Sequence, residues 1–327
     1  MRPPITLILT LIPGIASAVS EPLISLVTRA NDTVPDIPGL SPLTLRPQQP
    51  DFSSFDLTSA LQPAYATQST TIDLPAACSA YIGPDQECTT VMTAVSIVFE
   101  DCGDAFVVCR CADAEMTMDT VLDRLGRVPV GLRRYAGTIV VAASPTGPYA
   151  YTLTTGDTHF FGNCAMDIWV HEMTHTFDFA LPTRQSSAPG WNTALATDTC
   201  VPDTYSQNNE VEDFAQVGVM MIYTILYGGN LPPGFTSDCM SSQLAFMYGL
   251  ALYDPGPLFG NNCDIIDGGP PARHSIPPAT LDPSRSFQPL SPVVGAGAAV
   301  TSGNSAALSH LNTPAFLLTI GVWALLS

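Results

Sequence analysis

The distribution of cysteine places the strongest constraint on what this chain can fold into. All nine cysteines lie between Cys78 and Cys263, so any cross-linked domain is bounded by these two positions. Near the N-terminus, the apolar residues 5–15 and the small residues 16–18 are typical of a secretory signal peptide. A chain that enters the secretory pathway meets an oxidising compartment, where most cysteines pair. Because nine is an odd number, the simplest expectation is four disulfides and one free or intermolecular thiol.

Changes in composition divide the chain into five segments. These are the signal peptide at 1–18, a proline-rich disordered or propeptide-like arm at 19–73, a folded domain at 74–267, a stalk rich in Pro, Gly and Ser at 268–304, and an apolar tail at 305–327. The tail fits a glycolipid (GPI) attachment signal that is removed, with Asn304 as the attachment residue and Gly303 or Ser305 as the next candidates. The alternative is a tail that packs as a last helix. We therefore expect a secreted, extracellular protein that is GPI-anchored to the plasma membrane or the cell wall.

Charge restricts the classes of partner. The chain carries 29 acidic and 11 basic residues, with a formal net charge of −18. Because nucleic acid is itself a polyanion, it is an unfavourable partner. Asn31 begins an N-glycosylation sequon, which predicts a glycoprotein. We expect contact with a membrane only through the lipid anchor, and the oligomeric state stays open.

Hydrophobic periodicity predicts an α+β domain. Strands are predicted at 91–98, 106–108, 138–142 and 149–154, and helices at 118–127, 165–179, 210–226 and 240–252. Strands come mostly before helices, which favours a mixed sheet followed by helices over a regularly alternating α/β fold.

The segment His171-Glu172-Met173-Thr174-His175 has the HExxH pattern. In a helix, residues four apart lie on one face, so the two imidazoles can bind one zinc ion. Glu172 lies beside them, where it can hold a zinc-bound water and act as general base. The alternative is a pair of surface histidines on an amphipathic helix.

A catalytic zinc ion needs a third protein ligand. A metzincin would have Gly and His where this chain has Asp178 and Leu181, which excludes that class. The other histidines are His159, which precedes the motif, and His274 and His310, which lie in the predicted stalk and tail. We therefore expect a carboxylate ligand from the acidic segment 205–216.

This segment resembles the gluzincin class of zincins, and particularly the peptidase domain of anthrax lethal factor and its relatives. The shared features are the run Glu212-Asp213-Phe214-Ala215 and the tyrosine seven residues before Glu212. The resemblance covers residues 165–226. It implies a zincin-like fold, with Glu212 as the third zinc ligand and Tyr205 as a hydrogen-bond donor to the oxyanion. Asn209 to Glu212 also reads as a capping box, so Glu212 could cap its helix instead, and Glu210 and Asp213 are the next ligand candidates.

Two further residues could brace a ligand histidine. Gln216 lies one turn after Glu212, where gluzincins often have an acidic residue. Asp178 follows His175 by three residues and could brace an imidazole, or serve only as a cap or surface residue. The overall layout, a cysteine-rich secreted chain with a GPI-like tail, also looks similar to fungal conidiation-specific secreted proteins.

The sequence thus predicts a secreted zinc metallopeptidase that cleaves peptide or protein substrates as an endopeptidase. One Zn2+ would be bound by His171, His175 and Glu212, with Glu172 and Tyr205 as catalytic residues. The alternative is a non-catalytic surface or cell-wall protein that retains the zincin fold and binds zinc without turnover. A third reading is a stalked wall protein without a metal.

Overall fold

One mixed sheet of six strands organises the described part of the chain. A computed structural model of the protein describes residues 56–260 together with Leu43. The strands are β1 (Ala66–Ile72), β2 (Met92–Phe99), β3 (Cys102–Cys111), β4 (Ile139–Ala142), β5 (Tyr149–Thr152) and β6 (Thr158–Phe161). Their order across the sheet is β1-β2-β3-β4-β6-β5. β4 is parallel to β3 and to β6, whereas the other neighbouring pairs are antiparallel.

The neighbouring interior strands β4 and β6 are buried along their whole length. Apolar, β-branched and aromatic residues fill most of both strands, and such residues suit strands that are covered on two faces. β5 pairs only with β6 and forms the edge of the sheet next to the helices that follow. The sheet therefore ends in a short strand beside the helical part of the protein.

Helices occupy most of the second half of the described chain. They are α1 (Leu57–Ala60), α2 (Ala76–Ser79), α3 (Met118–Arg127), α4 (Val130–Arg133), α5 (Met166–Ala180), α6 (Pro189–Thr197), α7 (Glu210–Leu226), α8 (Ser241–Gly249) and α9 (Pro255–Phe259). Single turns of 3-10 helix lie at Gln185–Ser187, Tyr205–Gln207 and Ala251–Tyr253. α5 and α7 pack against each other, and α5 also packs against β5. None of the helices in the described ranges combines the length and apolar character that crossing a membrane requires.

The predicted α+β class is confirmed, and several elements differ from the prediction. The mixed sheet and the later helices are present. β1 lies inside the stretch 19–73 that we expected to be an arm, and Leu57 and Leu61 of the same stretch are buried in the core. β1 was missed because six of its seven residues are exposed, so its sequence has no apolar alternation. Residues 19–55 of the predicted arm lie outside the described residues, except Leu43, which packs against the core.

Other differences concern the ends and the number of elements. β6 and α6 were not predicted, and α8 ends at Gly249, with a 3-10 turn after it where we expected the helix to continue. The predicted signal peptide, stalk and GPI tail, including Asn304, lie outside the described residues.

Disulfides fasten the parts that precede and follow the site. Cys78 bonds to Cys109 and Cys88 bonds to Cys111. Both disulfides therefore link β3 to the segment 78–88, which begins in α2. Cys200 bonds to Cys239, and Cys102 is also disulfide-bonded. Among the described residues, Cys164 is the free cysteine, and it is buried.

Candidate metal centre

Helix α5 carries the two histidines of the HExxH pattern. It begins after Ala165, and its first turn contains Asp167, whose negative charge favours a helix N-terminus. It ends at Ala180, and the next residue, Leu181, has an extended backbone because Pro182 follows it. Trp169 anchors the helix on the sheet, with its ring stacked 3.7 Å from that of Phe160. The fixed helix holds both imidazoles in the interior, where His171 and His175 are only 5% and 4% exposed.

Helix α7 brings a carboxylate to these imidazoles. The side chain of Asn209 caps the helix by accepting hydrogen bonds from the backbone N–H groups of Val211 and Glu212. The Glu212 carboxylate extends toward α5, with its Oε2 3.0 Å from Nε2 of His171 and 3.1 Å from Nε2 of His175. In this structure the cap is therefore Asn209, and the Glu212 side chain lies at the histidines.

The three atoms form a nearly equilateral triangle. The Nε2 atoms of His171 and His175 are themselves 3.0 Å apart. Zinc bonds to nitrogen and oxygen are about 2.0–2.1 Å long, so two ligands of a tetrahedral ion lie about 3.3–3.4 Å apart. The triangle, with sides of 3.0–3.1 Å, is slightly tighter than this, and His171, His175 and Glu212 are the residues that would hold the ion. Two imidazoles and one carboxylate are also a donor set that zinc accepts, with a fourth position left for another ligand.

Burial and charge act in opposite directions on these groups. Burial by itself lowers the pKa of His171, but the hydrogen bond and the charge of Glu212 outweigh it and raise this pKa to about 9. Burial by itself would raise the pKa of Glu212, whereas the two imidazoles hold it well below its usual range. Without a metal, the site therefore retains a proton on His171 at neutral pH.

A cleft of about 240 Å³ opens over the triangle. Its walls come from β5, from α5, from the turn at Tyr205 and from α7. The lining residues are Pro148, Tyr149, Ala150, Asp167, Ile168, His171, Glu172, Tyr205 and Gln216. The Glu172 carboxylate accepts a hydrogen bond of 2.6 Å from the hydroxyl of Thr152 on β5. Tyr205 is 48% exposed, and its ring lies edge-on to that of His171 at 5.5 Å. Glu172 and Tyr205 thus both lie beside the triangle.

The residues expected to brace a histidine behave differently from each other. Gln216 lies with His171 in the lining of the cleft, and its side chain helps to raise the pKa of that imidazole. Asp178 is buried and accepts hydrogen bonds from the backbone and the hydroxyl of Ser186, so it holds the turn after α5. Within the described part of the chain, Nδ1 of His175 is buried without a hydrogen-bond partner. Asp178 is therefore not a surface residue, and its hydrogen bonds hold Ser186 and the turn after α5.

The other candidate ligands lie elsewhere. The cluster of possible metal-binding atoms around His171 and His175 includes Glu212 but neither Glu210 nor Asp213. His159 is buried on the sheet, where its Nδ1 lies 2.6 Å from the Glu87 carboxylate. A second cluster, Cys88, Cys111 and Asp113, has its two sulfur atoms joined in a disulfide and so lacks thiolate ligands.

Sequence reasoning missed two polar residues of the site. Thr152 is the hydroxyl donor to Glu172, and Asp203 accepts a hydrogen bond of 2.6 Å from the side-chain amide of Gln216. Neither residue is part of a recognisable motif. A threonine at the end of a strand that leads to HExxH, and an aspartate just before the Tyr205 turn, are the only local signals.

Fold and site together define an α+β protein with a two-histidine, one-carboxylate candidate metal centre between two packed helices. The family model for the conidiation-specific protein Con-13 matches residues 62–249, more than half of the chain, and the protein belongs to this family. Conidiation-specific protein 13 of Neurospora crassa is 33% identical over 133 residues, which cover 38% of this chain and 38% of that relative. The aligned part is therefore well under two thirds of the relative's length. No solved structure matches the chain.

These comparisons correct the functional prediction. The family that matches is Con-13, and neither it nor the relative is a peptidase family. The assignment to gluzincins and to proteins like anthrax lethal factor was wrong, and so were the predicted hydrolase activity and the designation as a zinc metallopeptidase. The assignment rested on the HExxH helix and the carboxylate of the later helix, within residues 165–226. Such a pattern specifies an arrangement of possible metal ligands and does not specify a reaction. The general-base role of Glu172 and the oxyanion role of Tyr205 lose their basis with it.

Proposed function

We propose that this protein is a non-catalytic zinc-binding protein that acts outside the cell, with a zincin-like arrangement of the helices around the metal. One observation carries the proposal: the convergence of His171, His175 and Glu212, whose three ligand atoms lie 3.0–3.1 Å apart. Two imidazoles and a carboxylate brought together in the interior are costly unless a cation or a shared proton compensates them.

Zinc fits this donor set better than the common hard cations. Mg2+ and Ca2+ favour six or more oxygen ligands, whereas Zn2+ accepts nitrogen and oxygen in a four-coordinate site. When bound, zinc would supply an electron-pair acceptor at the floor of the cleft. His171, His175 and Glu212 would hold it, and the cleft would admit a ligand to the remaining coordination position.

The contacts of Glu172 suit a binding site. Its carboxylate is buried and held by the Thr152 hydroxyl, so it adds a fixed negative charge to the wall of the cleft. Asp167 adds another acidic group to the same wall. A partner that carries an electron-pair donor for zinc and positive charge for the wall would be complementary to the cleft, and a peptide or protein segment is the class that we propose.

The disulfides support an extracellular location, because structural disulfides persist in oxidising compartments. A GPI anchor at Asn304 remains part of this proposal and depends on residues outside the described ranges. Because of the acidic composition, the proposal does not include nucleic acid as a partner.

Metal analysis of the purified, secreted protein tests the proposal. The protein would be stripped with a chelator, titrated with zinc, and incubated with a peptide library. We expect about one zinc per chain, as one three-ligand centre implies, and no cleavage of any peptide. Glu212→Gln should weaken zinc binding by at least about 100-fold, because loss of a ligand costs more than loss of an outer partner.

Glu210→Gln is the matched control. Glu210 lies in the same first turn of α7, but its side chain is not part of the ligand cluster, so the substitution should leave zinc affinity unchanged. Wild-type protein that binds no zinc, or equal affinities of wild type and Glu212→Gln, would refute the proposed centre. Zinc-dependent peptide cleavage would refute its non-catalytic character.

A further inference from the structure

Asp203 and Gln216 form a chain of hydrogen bonds that leads to the metal centre. The side-chain amide nitrogen of Gln216 donates to Oδ2 of Asp203 at 2.6 Å. This contact orients the amide, because a nitrogen that faces Asp203 leaves the amide oxygen to face the other way. Gln216 and His171 line the same cleft, and the Gln216 side chain helps to raise the pKa of that imidazole. The oriented oxygen can therefore accept a hydrogen bond from the imidazole.

His171 needs such an acceptor. Its Nε2 lies in the ligand triangle, so a metal bound there would leave the proton on the other ring nitrogen, Nδ1. A ligand histidine usually donates that proton to a carboxylate, a backbone carbonyl or water, which fixes the ring and makes it a stronger donor to the metal. Here the neighbour is an amide, which has no charge of its own, and the carboxylate lies one hydrogen bond further away.

Asp203 is itself held in place. Its Oδ1 accepts hydrogen bonds from the backbone N–H and the hydroxyl of Ser206, at 2.8 and 3.0 Å. Ser206 belongs to the 3-10 turn Tyr205–Gln207, which borders the cleft. One oxygen of Asp203 therefore shapes the turn, and the other is left to orient Gln216.

We propose that Asp203 and Gln216 are positioning residues for zinc, in which the amide of Gln216 relays the charge of Asp203 to the imidazole of His171. The inference rests on the proposed zinc function and adds to it a source for the basicity of the ligand histidine. An amide between the Asp203 carboxylate and a metal-bound imidazole becomes polarised, because hydrogen bonds in a chain strengthen one another. The relay thus replaces the direct carboxylate contact.

A thermodynamic cycle on the full chain tests the relay, with zinc affinity measured by competition with a chelator. Asp203→Asn removes the charge and leaves a single oxygen, which can accept from Ser206 while the new NH2 group faces Gln216. It should weaken zinc binding about 10-fold. Gln216→Ala should weaken it by about 10-fold to 100-fold. Asp203→Asn should have no additional effect in the Gln216→Ala background, because the path to His171 is already broken.

A swapped pair provides the rescue. In the double variant Asp203→Asn/Gln216→Glu, the new carboxylate at 216 accepts directly from His171, and the new amide at 203 donates to it. This variant should regain at least wild-type affinity. Gln216→Glu alone places two carboxylates at hydrogen-bond distance and should not show the same gain.

Asp198→Asn is the control for a purely structural effect. Asp198 accepts hydrogen bonds from the backbone of Ser242 and Gln243, at the start of α8. Its replacement should lower thermal stability without changing zinc affinity. Unchanged affinity in folded Asp203→Asn, or an equal loss with and without Gln216, would overturn the relay while leaving the zinc centre intact. Wild-type protein without zinc affinity would overturn both proposals.

Discussion

In the proposed zinc centre, a proton and the metal ion would compete for the same nitrogen of His171. Burial by itself lowers the pKa of His171, but Glu212 outweighs burial, so that without metal the pKa is raised to about 9. Its ordinary pKa is about 6.5. Stability from this protonated pair is therefore fully present below about pH 6.5 and is lost as pH rises through about 9. The lowered pKa of Glu212 affects stability in the acidic range. The stability that it contributes is present above about pH 4.3 and is lost as pH falls below that value.

The pair predicts a pH optimum for the metal-free protein. Its melting temperature should be highest between about pH 4.5 and 6.5 and fall by several degrees toward pH 9, which corresponds to on the order of 1–3 kcal/mol. Zinc requires neutral imidazoles, so the stabilisation that it adds should grow over the same range. Thermal unfolding with chelator and with excess zinc, from pH 5 to 9, measures both trends.

Glu212→Gln serves as the reference for this experiment. Without the carboxylate, burial opposes a proton on His171 and only the weaker effects of Glu172 and Gln216 favour it, so the fall above pH 6.5 should be much smaller in the metal-free variant. If wild type and variant lose stability equally across this range, the pair is not the cause.

At the scale of elements, the contact between α5 and α7 sets the shape of the ligand triangle. Gly218 lies on α7 where the helix faces α5, and a Cβ placed there would lie 2.8 Å from Thr174 and from the hydroxyl of Tyr253. A glycine in the middle of a helix lowers its intrinsic stability by about 1 kcal/mol relative to alanine. We attribute its presence to the close approach of the two helices.

Gly218→Ala should therefore destabilise the protein, although alanine favours helix. Overpacking in a core costs about 1–3 kcal/mol, which exceeds the gain in helix propensity. Zinc affinity should fall as well, because the displaced helices carry the three ligands. Denaturant unfolding and chelator competition measure the two effects.

Two variants bracket this prediction. Thr174→Ala in the Gly218→Ala background removes part of the clash and should recover part of the stability. Gly256→Ala in α9 adds a Cβ where nothing lies within 4 Å, so it should be neutral or mildly stabilising. A Gly218→Ala protein as stable as wild type would show that the helices adjust without cost.

At the scale of the whole molecule, disulfides and one buried thiol account for the cysteines of the described chain. Burial raises the pKa of Cys164 to about 12, against smaller lowering effects from backbone hydrogen bonds. Its Sγ lies 3.2 Å from the carbonyl oxygen of Phe161 and 3.4 Å from that of Tyr149. A thiol with so little thiolate and no access to solvent is inert.

Thiol titration checks this arrangement. At pH 8, native protein should react negligibly with a thiol reagent, and protein denatured without reductant should show about one thiol per chain, as expected when the other cysteines are paired. Cys164→Ser should show none in either state. Rapid labelling of the native protein would contradict the buried position of Cys164.

Local patterns in the sequence determined the α+β class, the helices around residues 118–127 and 210–226, and the pairing of His171 with His175. Each of these depends on the helical or strand repeat, which acts over a few residues. The polar strand β1 escaped the same reasoning, because an exposed edge has no apolar pattern to detect.

Three features became clear only from the tertiary structure. They are the choice of Glu212 among the acidic residues of 210–213 as the neighbour of the histidines, the hydrogen bonds of Asp178 to the turn after α5, and the contact of Asp203 with Gln216. These contacts join residues that are 8 to 41 positions apart, beyond the reach of the helical and strand repeats. The contact of Glu212 with the histidines also depends on how α5 and α7 pack against each other. The function predicted from the motif failed for a related reason. Spacing in one helix specifies where ligand atoms can meet, whereas the use made of a metal depends on the cleft and partners that the whole fold assembles around it.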